Sequence, residues 1–465
     1  MDTMQPLIRR LPTLPILAFL AFGAALLACA AALLAGAPDA RASALSERVV
    51  LGPDTPPAAG PPPRGRAAPP EATASVSRFC AAIRRQANRG GRASGVIVMD
   101  SKTNRVLCRS AAKRRRILAS NMKIFTTSTA LNRFGPSHRF ETSVWRTGRL
   151  DSRGVLHGNL YLVGGGDPFL TSPIFGERNL GGQYTNIYDL VPFVRQAGIR
   201  RVTGRVYADD SIFDERRGVA DSGYATSPYI GPLSGLSFNL GFTTSSATSF
   251  SSSPELLAAL KLTKSLRSKR TKISRNPAEG NLPRRGRRRE LGTIRSPLLA
   301  EIAEATNVYS NNFLAEMLMK NLGAAFRNHG STAAGTRVVE AFARNRNSGV
   351  HAVDGSGLTR TNRASPAGVA HLLDAMREVR GAKAFLDSLA VVGREGTLAD
   401  RMEGTAAAGN CHAKTGTITG VSALSGYCFT RSGRTLIFSV LNNGVTNLSA
   451  AHASQDRIAV MVARR

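Results

Sequence analysis

The chain has 465 residues, room for two or three domains with well-buried cores, and 42% hydrophobic residues mark most of it as globular. Its 62 Lys and Arg against 31 Asp and Glu give a net charge of +31, which favours polyanionic surroundings: nucleic acid, acidic membrane headgroups or an anionic cell envelope. No recognised nucleic-acid motif accompanies that charge, so nucleic acid is not an expected partner, and no Cys or His spacing suits a metal, so neither metal nor cofactor is expected.

Arg9 and Arg10 precede an uncharged stretch, 11–38, that is either a signal peptide or a single-span anchor. Ala42, Ser43 and Ala44 supply a small-x-small cleavage site, which favours removal after Ala44. A lipid-attached Cys29 is a third option, disfavoured by Leu27 and by the apolar residues that follow. Without that segment Cys80, Cys108, Cys411 and Cys428 remain, an even number compatible with two disulfides in an oxidising compartment. The expected location is therefore outside the cytoplasm, in a periplasm or on the outer face of the cytoplasmic membrane. Residues 45–77, rich in Pro, Ala and Gly, read as an extended linker.

From about 78 a helix is expected around Phe79, Ala82 and Ile83, then short strands at 95–99 and 105–109. The basic run 113–116 reads as a solvated loop. Ser120 follows, placed to cap a helix that carries Lys123. Residues 146–290 read as an inserted β-rich domain, with strands at 158–163 and 202–208. Its glycine run 164–166 lacks phosphate-loop spacing. Within it, 264–289 hold eleven Lys or Arg against one acid, Glu279, and read as a flexible surface loop.

Helical periodicity returns at Leu298, Leu299 and Ile302 and again from Phe313 to Leu322. A turn-rich segment, Asp354 to Leu358, precedes a helix at 366–376. Strands are expected at 411–417, 421–430 and 436–441, then a terminal helix. Helices against an antiparallel sheet whose strands come from both chain ends describe residues 78–145 and 291–465.

A serine three residues before a lysine on a helix puts hydroxyl and amine on one face, but that pattern alone is uninformative. Its weight comes from two further fragments in order, Ser310-Asn311-Asn312 and Lys414-Thr415-Gly416, which complete the motif set of serine penicilloyl enzymes. The wider text, GNLYLVGGGDP at 158–168, DGSGLTR at 354–360, GTL at 396–398 and AKTGTITGVSALS at 413–425, closely resembles the D-alanyl-D-alanine carboxypeptidase/endopeptidase family of class C (DacB-like) low-molecular-mass penicillin-binding proteins. The resemblance spans about 78 to 465. It implies an α/β fold of α+β type, the transpeptidase-like fold, with a β-rich domain inserted between the first two motifs. The 190 residues from Ser120 to Ser310 are short for the family, so a trimmed insertion is expected.

The roles follow from chemistry and agree with what the resemblance implies. Ser120 is the expected nucleophile and Lys123 its base, neutral because of burial and the nearby Lys414. Ser310 is placed to relay a proton to the leaving nitrogen. Asn312 can accept from Lys123 and donate to the substrate amide. Lys414 and Thr415 are expected to bind the substrate carboxylate, Gly416 to leave room for the peptide, and the backbone N–H groups of Ser120 and Thr417 to form an oxyanion hole. Asp354 and Ser356 read as a tight turn lining or buttressing the site.

Cys411 and Cys428 fall opposite each other if the hairpin turns at 418–421, predicting a cross-strand disulfide with Cys80–Cys108 as its companion. His412 reads as a surface residue. The resulting expectation is an exported serine DD-peptidase acting on peptidoglycan stem peptides and inhibited by β-lactams, with the basic loop free to meet anionic polymers or a membrane. A β-lactamase is the first alternative, though no Glu-x-x-Leu-Asn segment supplies a deacylating base. A non-catalytic envelope-binding protein is the second.

Overall fold

The computed structural model describes residues 70–465. The expectations for 11–44, for Cys29 and for 45–69 fall outside the described residues. The first described helix is Pro70–Arg89, so residues 70–77, expected in the linker, are helical. Proline suits the first turn of a helix, where its missing N–H has no partner to lose, and Pro70 marks that start.

Both chain ends build one six-stranded antiparallel sheet, in the order Ala390–Val391, Cys411–Ile418, Val421–Phe429, Thr435–Asn443, Ala93–Asp100, Val106–Ser110. Alternate residues of a strand point to opposite faces, and here both faces are covered. Val96 and Val98 meet Ile83, Ile458 and Val462 of the first and last helices. Ile97 and Met99 join the larger core around Phe125, Leu314 and Leu373 on the other side. Each such fully buried side chain contributes about 1.5–3 kcal/mol.

The helix Met122–Phe134 runs through that larger core and is buried from Met122 to Leu131. Two of its buried threonines are satisfied locally: Thr127 and Thr129 donate to the carbonyls of Lys123 and Phe125, each at 2.7 Å. Thr126 donates to the Gly355 carbonyl at 2.7 Å, tying this helix to the 354–358 turn.

Both disulfides are present, Cys411–Cys428 across the hairpin and Cys80–Cys108 between the first helix and the second strand. Cys411 faces Cys428 in the register that the turn position predicts. The basic run 113–116 is not wholly a solvated loop. Arg116 is buried, and its guanidinium donates to the carbonyls of Ala93, Ser94, Ala111 and Arg114. It thereby fixes the segment leading to Ser120 against the first strand.

The inserted region is mixed rather than simply β-rich. A five-stranded sheet runs Ala278–Glu279, Val206–Asp209, Leu160–Gly164, Glu141–Thr147, Arg288–Arg295, so its outermost residues are 141 and 295 rather than 146 and 290. A four-stranded sheet joins Lys272–Ile273, Arg201–Val202, Val155–His157 and Arg149–Leu150. Several of these strands pair in parallel, which requires crossovers, and the crossovers carry the helices Leu190–Gln196 and Pro254–Ser268. The basic stretch 264–289 is consequently no single loop. It holds the end of a helix, two short strands and the start of the edge strand Arg288–Arg295.

Candidate active site

Ser120 does not cap a helix. It sits inside a 3-10 turn, Ala119–Asn121, that leads directly into Met122–Phe134, and no side-chain cap bond is made there. Ala119 has φ +45°, a left-handed backbone costing an ordinary residue about 1–3 kcal/mol. Two glycines let neighbouring segments reach this strained turn. A Cβ on Gly357, at φ +88°, would lie 1.9 Å from the Ala119 carbonyl oxygen. One on Gly416 would lie 3.0 Å from the Ser120 nitrogen, so that glycine makes room for the serine's own turn, where room for substrate was expected.

Lys123 is fully buried, and its Nζ donates to three acceptors: Ser120 Oγ at 3.1 Å, Asn312 Oδ1 at 2.7 Å and the Ser356 carbonyl at 2.8 Å. Burial pushes its pKa down from 10.5 to about 7, partly opposed by Asp354 and Glu316. Lys414 is also fully buried and lies well below its ordinary value, first through burial and then through the charge of Lys123. Its Nζ donates to the Thr415 carbonyl at 3.1 Å, while Asn121 Nδ2 holds the Lys414 carbonyl at 2.9 Å.

The second motif lies between the helices Leu299–Val308 and Asn312–Arg327. Asn311 caps the second of these by accepting from the Leu314 nitrogen at 3.1 Å. Ser310, left-handed at φ +57°, is half-buried, and among the described residues its hydroxyl has no hydrogen-bond partner. Asn312 accepts from Lys123 as expected, but its Nδ2 donates to the Tyr229 carbonyl at 3.0 Å rather than pointing free toward a substrate.

Thr415 Oγ1 donates to Thr397 Oγ1 at 2.8 Å, which brings the GTL segment to the same strand. Ala390–Val391 pairs only with His412 and Ala413 of that strand. Among the described strands none lies beside 414–418 on that side, so Thr415 and Thr417 stand on an open edge. His412 is half-buried against Phe429, and burial lowers its pKa; the expected surface residue is a partly packed one.

Asp354 builds the expected tight turn. Its Oδ1 accepts from Gly357 N at 2.7 Å and Asn362 Nδ2 at 2.8 Å, and its Oδ2 from Thr359 N at 2.6 Å. Ser356 reaches the site through its carbonyl, not its hydroxyl. Glu316, fully buried, escaped the sequence reading: its Oε1 accepts from Gly355 N at 2.8 Å and Ser356 N at 2.7 Å. The signal was available, because Asn312, Glu316 and Lys320 recur every four residues on an otherwise apolar helix and so share one face.

The comparisons with known proteins point the same way. A family model described as the D-Ala-D-Ala carboxypeptidase 3 (S13) family matches residues 80–274 and 241–465. The D-alanyl-D-alanine carboxypeptidase of Actinomadura sp. (strain R39) is 31% identical, covering 80% of this chain and 81% of its own. A carboxypeptidase of Mycolicibacterium smegmatis is 29% identical, with 77% of this chain and 78% of its own covered. Among solved structures, penicillin binding protein 4 from Haemophilus influenzae superposes with a TM-score of 0.69 over 84% of this chain and 99% of its own, at 18% identity, a likeness of fold. With its three motifs gathered around Lys123 and the family model spanning nearly all the described residues, the chain belongs to the D-Ala-D-Ala carboxypeptidase 3 (S13) family.

Proposed function

We infer that the protein is a serine D-Ala-D-Ala carboxypeptidase acting on peptidoglycan stem peptides through a Ser120 acyl-enzyme, and that β-lactams acylate the same serine. The observation that carries this reading is the buried Lys123 amine within hydrogen-bond reach of the Ser120 hydroxyl. Ser120 Oγ attacks the carbonyl of the penultimate D-alanine while Lys123 takes the hydroxyl proton. The oxyanion forms against the backbone N–H groups of Ser120 and Thr417. The C–N bond then breaks, D-alanine leaves as the amine with a proton passed through Ser310, and water hydrolyses the ester.

Asn312 orients the Lys123 amine and turns its amide to the substrate once released from the Tyr229 carbonyl. Lys414 and Thr415 bind the terminal carboxylate. The stem peptide lies along the open edge 414–418 as an added strand, a common way for an extended peptide to be held. The same edge also admits the cross-link peptide, which gives endopeptidase action a route. Asp354 and Ser356 buttress this arrangement from below. Export to a periplasm or to the outer face of the cytoplasmic membrane is supported by the charge-free run at 11–38 and by two disulfides.

The test is to incubate the protein with a fluorescent penicillin, map the adduct by mass, and assay release of D-alanine from a stem pentapeptide. A stable adduct on Ser120 with D-alanine release is expected. Rapid penicillin turnover would make it a β-lactamase, and absence of both adduct and release would leave only envelope binding.

The basic face of the inserted region supports an anionic envelope polymer or membrane surface as a further partner. Arg201 lies opposite Lys272, and Arg289 opposite Arg146, like-charge cross-strand neighbours that repel unless an anion intervenes. Retention on phosphatidylglycerol vesicles that falls with added salt is expected. Equal retention on neutral vesicles would sink the idea.

A further inference from the structure

Glu316 has no part in the steps above, yet its side chain is fully buried on the helix that presents Asn312, a helix whose residues are buried from Phe313 to Gly323. A carboxyl so placed is costly unless its hydrogen bonds are worth more than an apolar side chain would be. Its Oε1 collects the N–H groups of Gly355 and Ser356, and the carbonyl of Ser356 is one of the three acceptors around Lys123 Nζ. Helix, turn and catalytic amine are thus joined through a single carboxyl oxygen.

The charged groups around it and around the Lys123 amine come from four elements. Lys123 lies on the nucleophile's helix and Asp354 in the turn. Lys320 lies one turn further along the same helix, paired with Asp214 at 2.5 Å, and Lys414 faces Lys123 from the hairpin strand. Asp354 has three donors spread over both oxygens, a setting suited to an ionised carboxylate. Glu316 has two donors on Oε1 and a buried Oε2 without a partner, so of the two acids it is the poorer host for charge. Burial and then the neighbouring Asp354 push it up to about 8, close to where the Lys123 amine changes charge.

We propose that Glu316 is a positioning residue for Lys123: through Oε1 it fixes the Gly355–Ser356 segment whose carbonyl receives the amine, serving as a hydrogen-bond acceptor and not as a charge. The catalytic consequence rests on the acyl-enzyme reading; the holding of the amine does not.

The experiment labels lysine Cε with carbon-13 in the full chain and follows each resonance by NMR from pH 5 to 11, identifying Lys123 by the signal that Lys123→Met removes. In Glu316→Gln the amide oxygen still accepts from Gly355 and Ser356 while no charge can form. The Lys123 midpoint and the pH limb of penicillin acylation are expected to stay within about a third of a pH unit of the wild type, with the high-pH plateau kept within about threefold. Glu316→Leu, which leaves both N–H groups unpaired, should lower that plateau by about thirtyfold or more. A Glu316→Leu plateau within about threefold of the wild type, or a Glu316→Gln plateau that falls as far as that of Glu316→Leu, overturns the proposal. A wild-type protein whose Lys123 titrates as described but takes up no penicillin overturns the acyl-enzyme reading alone.

Discussion

Replacing Lys123 with methionine is expected to slow acylation by a fluorescent penicillin about a thousandfold and to erase its acid limb. General-base assistance is worth about 10²–10⁴ in rate, and the amine is the group that touches the Ser120 hydroxyl. Because burial lowers its pKa to about 7, the neutral form gains tenfold per pH unit up to about 7 and levels off above it. Wild-type acylation should climb and level in the same way between pH 5 and 9. A Lys123→Met variant that kept this limb would assign the base elsewhere.

The sign on stability is separate. An unfolded lysine keeps its proton to about 10.5 while the folded one releases it near 7, so between those values the unfolded chain binds more protons. The stabilisation from this group is complete above 10.5 and is lost as pH falls to 7, by about 1.4 kcal/mol per unit. Glu316 works oppositely, its stabilisation being complete below its ordinary 4.5 and lost as pH rises to about 8. Between 7 and 8 the two oppose each other, so the stability of the wild type should vary less across that window than that of either single replacement, as urea melts would report.

Gly357→Ala should have the second large effect, although position 357 carries no chemistry. The added methyl would sit 1.9 Å from the Ala119 oxygen and 3.0 Å from the Ser120 nitrogen, both backbone atoms of the nucleophile's turn. A clash with backbone cannot be relieved by a rotamer, so the turn or the Asp354 loop must move. We expect a loss of about 2–4 kcal/mol in stability. Acylation should fall about a hundredfold, because a displaced Ser120 loses its alignment with Lys123. Acylation kinetics with a melt on the same sample check both; a variant that acylates at the wild-type rate would show that the contact is easily relieved.

The motifs were legible because their chemistry requires particular residue types at particular spacings: Ser120, Lys123, Asn312 and Lys414 converge as the sequence indicates. So did the Cys411–Cys428 register, which follows from where the hairpin turns. Residues that act on the site by contact across the fold were harder to see. Asn121 holds the Lys414 carbonyl and Thr397 the Thr415 hydroxyl, partners separated by hundreds of residues in one case and by an irregular turn in the other.

Two-residue strands such as Arg201–Val202 and Lys272–Ile273 are too short to show a period. The inserted region therefore read as short strands and turns with one basic loop, where parallel pairs and helices also stand. Arg116 was misread because a run of four cations looks solvated, and only the fold shows one of them turned inward onto carbonyls.

The strand Ala93–Asp100 finds its partner in Leu436 to Asn443, more than three hundred residues downstream. Asn443, at the end of that late strand, grips Ile117 through both its N–H and its carbonyl, just upstream of the serine. The nucleophile's turn is thus braced by a residue more than three hundred positions downstream of it. Long-range closure of this kind is slow, and the chain has no completed active site until it has been delivered through residue 443. A chain cut short of Asn443 would accordingly lack this brace, leaving the Ser120 segment without the partner that fixes its approach to the helix.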